Sequence, residues 1–282
     1  MNEGSYLKKR YIIGIMAYTI LLFVGVLSVV HSIYRENIVI DGEATVFVHG
    51  YKGTENSFGN LLDRFEYTYQ WGKKGLVYYI SSEGNINDYF LLREEEDQPI
   101  FVQVVFENNR AEFAETTEWL SSVLQHLKEE YAVETVNLVG HSMGGIVSTK
   151  FSMEYTSVDY PAVNRLVTIG SPFDGIYDEQ YFEINQDPAA MDLAQDSPAL
   201  TELRENNLPV HIQALSIGST GDLVAEEESV LAVEEVIPKE QLETMIIEDS
   251  MLGHSALHEN VTVDHMISSF LWENEGSVDI IS

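Results

Sequence analysis

Apolar residues along this chain fall into two kinds of run. Short blocks rich in Val, Ile, Leu, Phe and Tyr predict buried strands at 44–48, 76–80, 100–106, 135–139, 163–169 and 210–217. Between them the spacing changes to that of helices. Phe58, Leu61, Leu62 and Phe65 share one face of 57–67. Phe113, Trp119, Leu120, Val123, Leu124 and Leu127 share one face of 112–131. Further helices are expected at about 143–155 and at 261–272. Strands that alternate with helices predict an α/β fold: a mostly parallel central sheet with helices on both faces. In such a sheet the site forms at the carboxyl ends of the strands.

The N-terminus follows a different pattern. Lys8-Lys9-Arg10 precedes residues 11–30, which carry no charge. Twenty such residues match the thickness of a bilayer core. A secretory signal has a shorter apolar region and a small-x-small cleavage site. The end at Leu27-Ser28-Val29-Val30-His31-Ser32 is a poor one. An uncleaved membrane anchor is therefore expected, with a cleaved signal as the alternative. The basic flank keeps the N-terminal tip in the cytoplasm and puts the rest of the chain outside. The expected organisation is a tip and anchor at 1–35 and one catalytic domain at 36–282. Within that domain, residues 171–209 lie between two strands and carry Tyr177, Tyr181, Phe182, Met191 and Leu193. They are expected to form either a lid or a plain helical insertion.

Charge narrows the partners. Residues 36–282 hold 11 of the 15 Lys and Arg but 45 of the 46 Asp and Glu. A surface so negative repels nucleic acid and anionic headgroups. Neutral or cationic substrates are compatible with it, as is a simple solubilising role. The chain has no cysteine. That rules out disulfides and a lipid-modified cysteine, and it suits an exported bacterial protein.

One motif carries specific chemistry. Val136 to Gly145 reads as strand, sharp turn and helix around Gly140-His141-Ser142-Met143-Gly144. The chain reverses so tightly at the serine that side chains two residues away on either side would clash, and glycine removes them. The turn presents the hydroxyl at a helix N-terminus, where free N–H groups and the helix dipole favour an oxyanion. Ser142 is the expected nucleophile. His141 is read as structural, turned away from the serine.

The supporting groups follow from strand ends. His49-Gly50 closes the first strand of the domain. The backbone N–H groups of Tyr51 and Met143 are the expected oxyanion donors. Serine needs a base, and the base needs an orienting carboxylate, in the chain order Ser, Asp or Glu, His. Asp222 follows a late strand in Gly218-Ser219-Thr220-Gly221-Asp222 and is preferred to Asp174. Glu226, Glu227 and Glu228 read as a solvated charge run. For the base, His254, beside Gly253, is preferred to His258, for which a structural or capping role is expected. His265 falls mid-helix, as a surface or packing residue.

These segments resemble the α/β-hydrolases of Gram-positive bacteria described as cell-surface hydrolases (domain of unknown function 915), and more distantly bacterial lipases. The resemblance rests on Phe47 to Thr54, Val136 to Gly145, Gly170-Ser171-Pro172-Phe173 and His254 to Asn260, and spans about residues 45–272. It implies the α/β-hydrolase fold, a triad of Ser142, Asp222 and His254, and an N-terminal export or anchor segment. It also favours His254 over His258, since the lipase histidine precedes apolar residues and a last helix. The expected function is hydrolysis of carboxylic esters, small or lipid, through an acyl-enzyme, with no metal or cofactor. Acyl transfer to another acceptor, thioester hydrolysis and a non-catalytic binding role are the alternatives.

Overall fold

The computed structural model describes residues 13–23, 25, 40, 42–92 and 98–272. The chain divides into two compact units, Met1–Val39 and Ile40–Ser282. In the first, residues 13–23 are helical and exposed. Among the described residues no helix is long and apolar enough to cross a membrane. The anchor expected at 11–30 lies partly outside the described residues.

The second unit is built on eight strands: β1 (Glu43–Val48), β2 (Lys73–Ile80), β3 (Ile86–Phe90), β4 (Ile100–Phe106), β5 (Thr135–His141), β6 (Ala162–Ile169), β7 (Gln213–Ser219) and β8 (Leu242–Ile247). They form one sheet in the order β3-β2-β4-β1-β5-β6-β7-β8. All neighbours pair in parallel except β2 and β3. The continuous apolar runs mark strands covered on both faces, as β4 shows with every residue buried.

Both edge strands escape the sequence pattern. β3 (Ile-Asn-Asp-Tyr-Phe) carries Asn87 and Asp88, which disfavour strands. It pairs with only one neighbour, and Asp88 accepts a hydrogen bond from Tyr131. β8 is likewise half exposed. The strand expected at 210–217 begins later, at Gln213. Pro209 starts a turn there, closed by the Ile212 N–H on its carbonyl, and Val210 is exposed.

Four helices position the site. They are α1 (Asn56–Asp63), α2 (Phe113–Tyr131), α3 (Met143–Glu154) and α8 (Val261–Trp272). The helix expected at 57–67 widens after Asp63 into a π turn, Arg64–Thr68. α3 is buried from Met143 to Ser152. Phe58, Leu61, Leu62 and Phe65 join Val263, Ile267 and Leu257 in the core on one face of the sheet. Burying a side chain such as Leu257 contributes about 1.5–3 kcal/mol. This core therefore anchors the loop before α8. Residues 171–209 hold three short helices, α4 (Glu179–Ile184), α5 (Pro188–Asp192) and α6 (Pro198–Glu205), capped by Asp178, Asp187 and Ser197. α7 (Glu227–Leu231) follows β7.

Candidate active site

Ser142 sits between β5 and α3 with φ 56° and ψ -128°. Such a conformation costs on the order of 1–3 kcal/mol in a residue with a side chain, and its surroundings must hold it. They do so at several points. The Ser142 N–H donates to the Ile169 carbonyl at 2.8 Å. The Ser142 carbonyl accepts from Ser171 Oγ at 2.8 Å and from the Gly145 N–H at 3.0 Å. Glycine is required on both sides. A Cβ on Gly140 would lie 2.4 Å from the backbone of Gly144, and one on Gly144 would lie 2.1 Å from the Val48 carbonyl oxygen.

The hydroxyl enters a hydrogen-bonded chain. Ser142 Oγ lies 2.9 Å from His254 Nε2, and His254 Nδ1 lies 2.7 Å from Asp222 Oδ2. With the ring proton on Nδ1, Nε2 is free to accept from the serine. Asp222 is buried, and its other oxygen accepts from the N–H groups of Val224 and Ala225, each at 2.9 Å. These bonds fix the orientation of the carboxylate. The structure thus brings together the three side chains expected from the sequence.

The competing candidates are engaged elsewhere. Asp174 pairs with Arg204 at 2.5 Å and accepts from Tyr177 and Gln195, both at 3.0 Å. His265 packs on Tyr69 and Trp71. His258 lies in the 3-10 turn His254–Glu259, before α8. His141 packs against two other histidines. Its ring centre lies 4.7 Å from that of His254 and 4.6 Å from that of His258, and its Nε2 donates to the His254 carbonyl at 3.2 Å. Burial is the largest cause that holds its pKa well below the usual histidine range; the neighbouring His254 and His258 add to it. His141 is thus a neutral ring packed against His254.

The loop after β1 lies beside the serine. A Cβ on Gly50 would fall 2.7 Å from Ser142 Cβ and 3.3 Å from the Met143 nitrogen. This contact places the peptide leading into Tyr51 against the start of α3. The Tyr51 N–H has no acceptor among the described residues. His49 braces the loop from inside. Its Nε2 accepts from the Phe106 N–H at 3.0 Å, and its Nδ1–H donates to the Gly50 carbonyl at 2.9 Å. Burial pushes its pKa down to about 4, so it is neutral near pH 7 and keeps both bonds.

Two residues that sequence reasoning missed hold this geometry. Ser171 fastens the serine carbonyl, as above. Arg64 donates to Asp264 at 2.6 and 2.9 Å, to the His258 carbonyl at 3.0 Å and to Glu259 at 3.2 Å. It ties the turn His254–Glu259 to α8. Ser171 falls in the Gly170-Ser171-Pro172-Phe173 segment already noted, but the role of each residue shows only through a partner distant in the chain. A cleft of about 480 Å³ opens beside Asp222, lined by Thr220, Leu223, Glu226, Glu227, Glu228 and Leu231. Its carboxylates disfavour an anionic ligand there. Among the described residues no cluster of acidic or histidine side chains is placed to hold a metal ion.

Residues 33–274 match the family described as alpha/beta hydrolase of unknown function (DUF915). The chain belongs to that family. Solved structures agree with the fold. A gene product of Listeria innocua is 22% identical and superposes with a TM-score of 0.69, over 85% of this chain and 96% of that one. A proposed cell surface hydrolase of Lactobacillus plantarum is 19% identical, with a TM-score of 0.62 over 82% and 90%. No curated protein sequence matches the chain. Family membership makes this an α/β-hydrolase, and the hydrogen-bonded chain stands where β5, β7 and the turn before α8 converge.

Proposed function

We propose that this protein is a serine hydrolase that cleaves carboxylic esters through an acyl-enzyme. The observation that carries the proposal is the continuous chain Ser142 Oγ, His254, Asp222, set on a strained turn at a helix N-terminus. His254 Nε2 takes the hydroxyl proton as Ser142 Oγ bonds to the ester carbonyl carbon. The carbonyl π pair moves to oxygen, which the N–H groups of Tyr51 and Met143 receive. Asp222 stabilises the imidazolium. The oxyanion then re-forms the carbonyl and expels the alcohol, which takes the proton from His254. Water repeats the sequence on the acyl-enzyme and releases the acid.

A location on the outer face of the cell membrane completes the reading. It is supported by the basic flank and uncharged segment at 8–30, and by the description of the Lactobacillus relative as a proposed cell surface hydrolase. The test is to treat the full-length chain with a fluorophosphonate probe and with p-nitrophenyl acetate. Wild type should be labelled at Ser142 and should turn over the ester, and Ser142→Ala should do neither. Equal turnover by the two proteins would overturn the proposal.

A further inference from the structure

The loop after β1 is fastened to the body of the domain on one side and to the insertion at 171–209 on the other. On the body side, the Lys52 N–H donates to the Asn109 carbonyl and the Gly53 N–H to the Gly50 carbonyl, both at 2.9 Å. Asn109 Nδ2 donates to the Gly53 carbonyl at 2.8 Å.

The ties to the insertion come from side chains. The Tyr51 hydroxyl donates to Asp187 Oδ2 at 2.6 Å, with Asn185 Oδ1 at 3.2 Å. The Lys52 ammonium donates to the same Asn185 oxygen and lies 4.9 Å from the centre of the Tyr51 ring. Asn185 is buried, and its Nδ2 donates to the Tyr181 carbonyl at 2.8 Å. Asp187 is held in turn by Arg110 at 3.3 Å, and it caps α5 through the Ala190 N–H.

The fastening matters because of which residue is fastened. Tyr51 carries the backbone N–H proposed to receive the oxyanion, and that N–H has no acceptor among the described residues. The direction of a peptide N–H follows the placement of its Cα. Anchoring the far end of the ring, two torsions away, restrains that Cα. The next residue, Lys52, has φ 56°, an unfavourable region for a residue with a side chain. Its conformation is held by the Asn109 carbonyl on one side and Asn185 on the other. The phenol also stays a donor: burial first, then the hydrogen bond to Asp187, raises its pKa well above the usual tyrosine value.

We propose that Tyr51, Asn185 and Asp187 form a positioning latch, in which the insertion holds the Tyr51 side chain and thereby aims the Tyr51 N–H at the oxyanion. The site is then competent only while the insertion is seated. A displaced donor loses most of its value, because a misplacement of about 1 Å can cost on the order of a hundredfold in rate. The latch is a positioning device, since neither the phenol nor the two insertion side chains touch the reacting atoms. It rests on the serine hydrolase reading given above.

The test uses the full-length chain, p-nitrophenyl acetate and the fluorophosphonate probe. Tyr51→Phe removes the hydroxyl alone and should lower kcat about tenfold, a fraction of the 10²–10³ lost when an oxyanion donor is deleted. KM should stay within about twofold, the split expected when only transition-state binding is lost. Asp187→Ala should fall equally far. Asp187→Asn should recover most of the rate, because asparagine still accepts from the phenol and caps a helix as well as aspartate does. The double variant Tyr51→Phe/Asp187→Ala should be no slower than either single one, since the two side chains act through one bond. Wild-type kcat in Tyr51→Phe, or losses that simply multiply in the double variant, would overturn the latch. The two readings separate cleanly. Failure of the wild-type chain to label at Ser142 defeats the hydrolase reading and the latch with it. Wild-type labelling matched in rate by Tyr51→Phe defeats the latch alone.

Discussion

Ser171 Oγ donates a 2.8 Å hydrogen bond to the carbonyl oxygen of Ser142. The donor lies just beyond β6 and the acceptor just beyond β5, so the bond joins the ends of two adjacent parallel strands. It helps to hold a serine whose backbone lies at φ 56° and ψ -128°. A single buried hydroxyl thus contributes to keeping the candidate nucleophile in its strained pose.

Ser171→Ala should lower the unfolding free energy by about 1 kcal/mol, the net value of one such bond. The Gly145 N–H still satisfies the serine carbonyl, so the loss stays small. Phosphonylation of Ser142 should slow several-fold as the turn relaxes. Urea melts and labelling time courses measure the two effects. An unchanged labelling rate would show that the remaining contacts hold the turn unaided.

Gly144→Ala should be far more damaging. The added methyl would meet the carbonyl oxygens of Val48 and His49 at 2.1 and 2.6 Å, and backbone cannot move aside cheaply. Overpacking of this kind costs roughly 3 kcal/mol. Denaturation midpoints test it, with Gly59→Ala as control, because a Cβ there meets nothing within 4 Å.

His49 should give the fold a pH dependence. Its pKa falls from 6.5 to about 4 on folding, through burial. Below pH 6.5 the unfolded chain therefore binds a proton that the folded chain rejects. Stability from this group is complete above about pH 6.5 and declines as the pH drops towards 4, by about 3 kcal/mol in all. Protonating carboxylates also relieves the repulsion of a chain with a net charge of -31, which opposes the trend. The difference between wild type and His49→Gln isolates the effect. Urea melts at pH 7 and pH 4.5 should show wild type losing more stability than the variant; parallel losses would refute the assignment.

Arg64→Met should leave Asp264 without its main partner at a fully buried position. Removing one partner of a buried ion pair costs about 3–5 kcal/mol, and Arg64, being partly exposed, places the expectation at about 3 kcal/mol. The His258 carbonyl loses a donor in the same variant. Hydrogen exchange in residues 254–260 should therefore quicken relative to β4. Uniform protection across both segments would show that Arg64 supports the fold without steering the base-bearing turn.

Much of this organisation was readable along the chain. The central strands announced themselves because burial on both faces demands unbroken apolar runs, as in Ile100 to Phe106. The turn at Ser142 was legible because two close backbone approaches exclude every residue but glycine at 140 and 144. β3 and β8 were not legible. An edge strand is half solvated, so Asn87, Asp88 and Glu243 are tolerated there and the pattern fades.

The sequence by itself determined the parallel α/β architecture and the position of the tight turn at Ser142. These are properties of local spacing: apolar periodicity, and the glycines that a tight turn requires. It ranked Asp222 over Asp174 and His254 over His258, yet each pair shared similar local cues. Only the tertiary structure shows which partners each of them meets. It turned Asp174 to Arg204 and left Asp222 beside a histidine 32 residues on, itself bonded to a serine 112 residues back. It also decided what stands behind the site: His141 against His254, Arg64 on the turn before α8, Ser171 on the Ser142 carbonyl and Asp187 on Tyr51. Such partnerships join residues that sheet topology brings together. No local pattern records them, because each hydrogen bond depends on where another strand or loop ends.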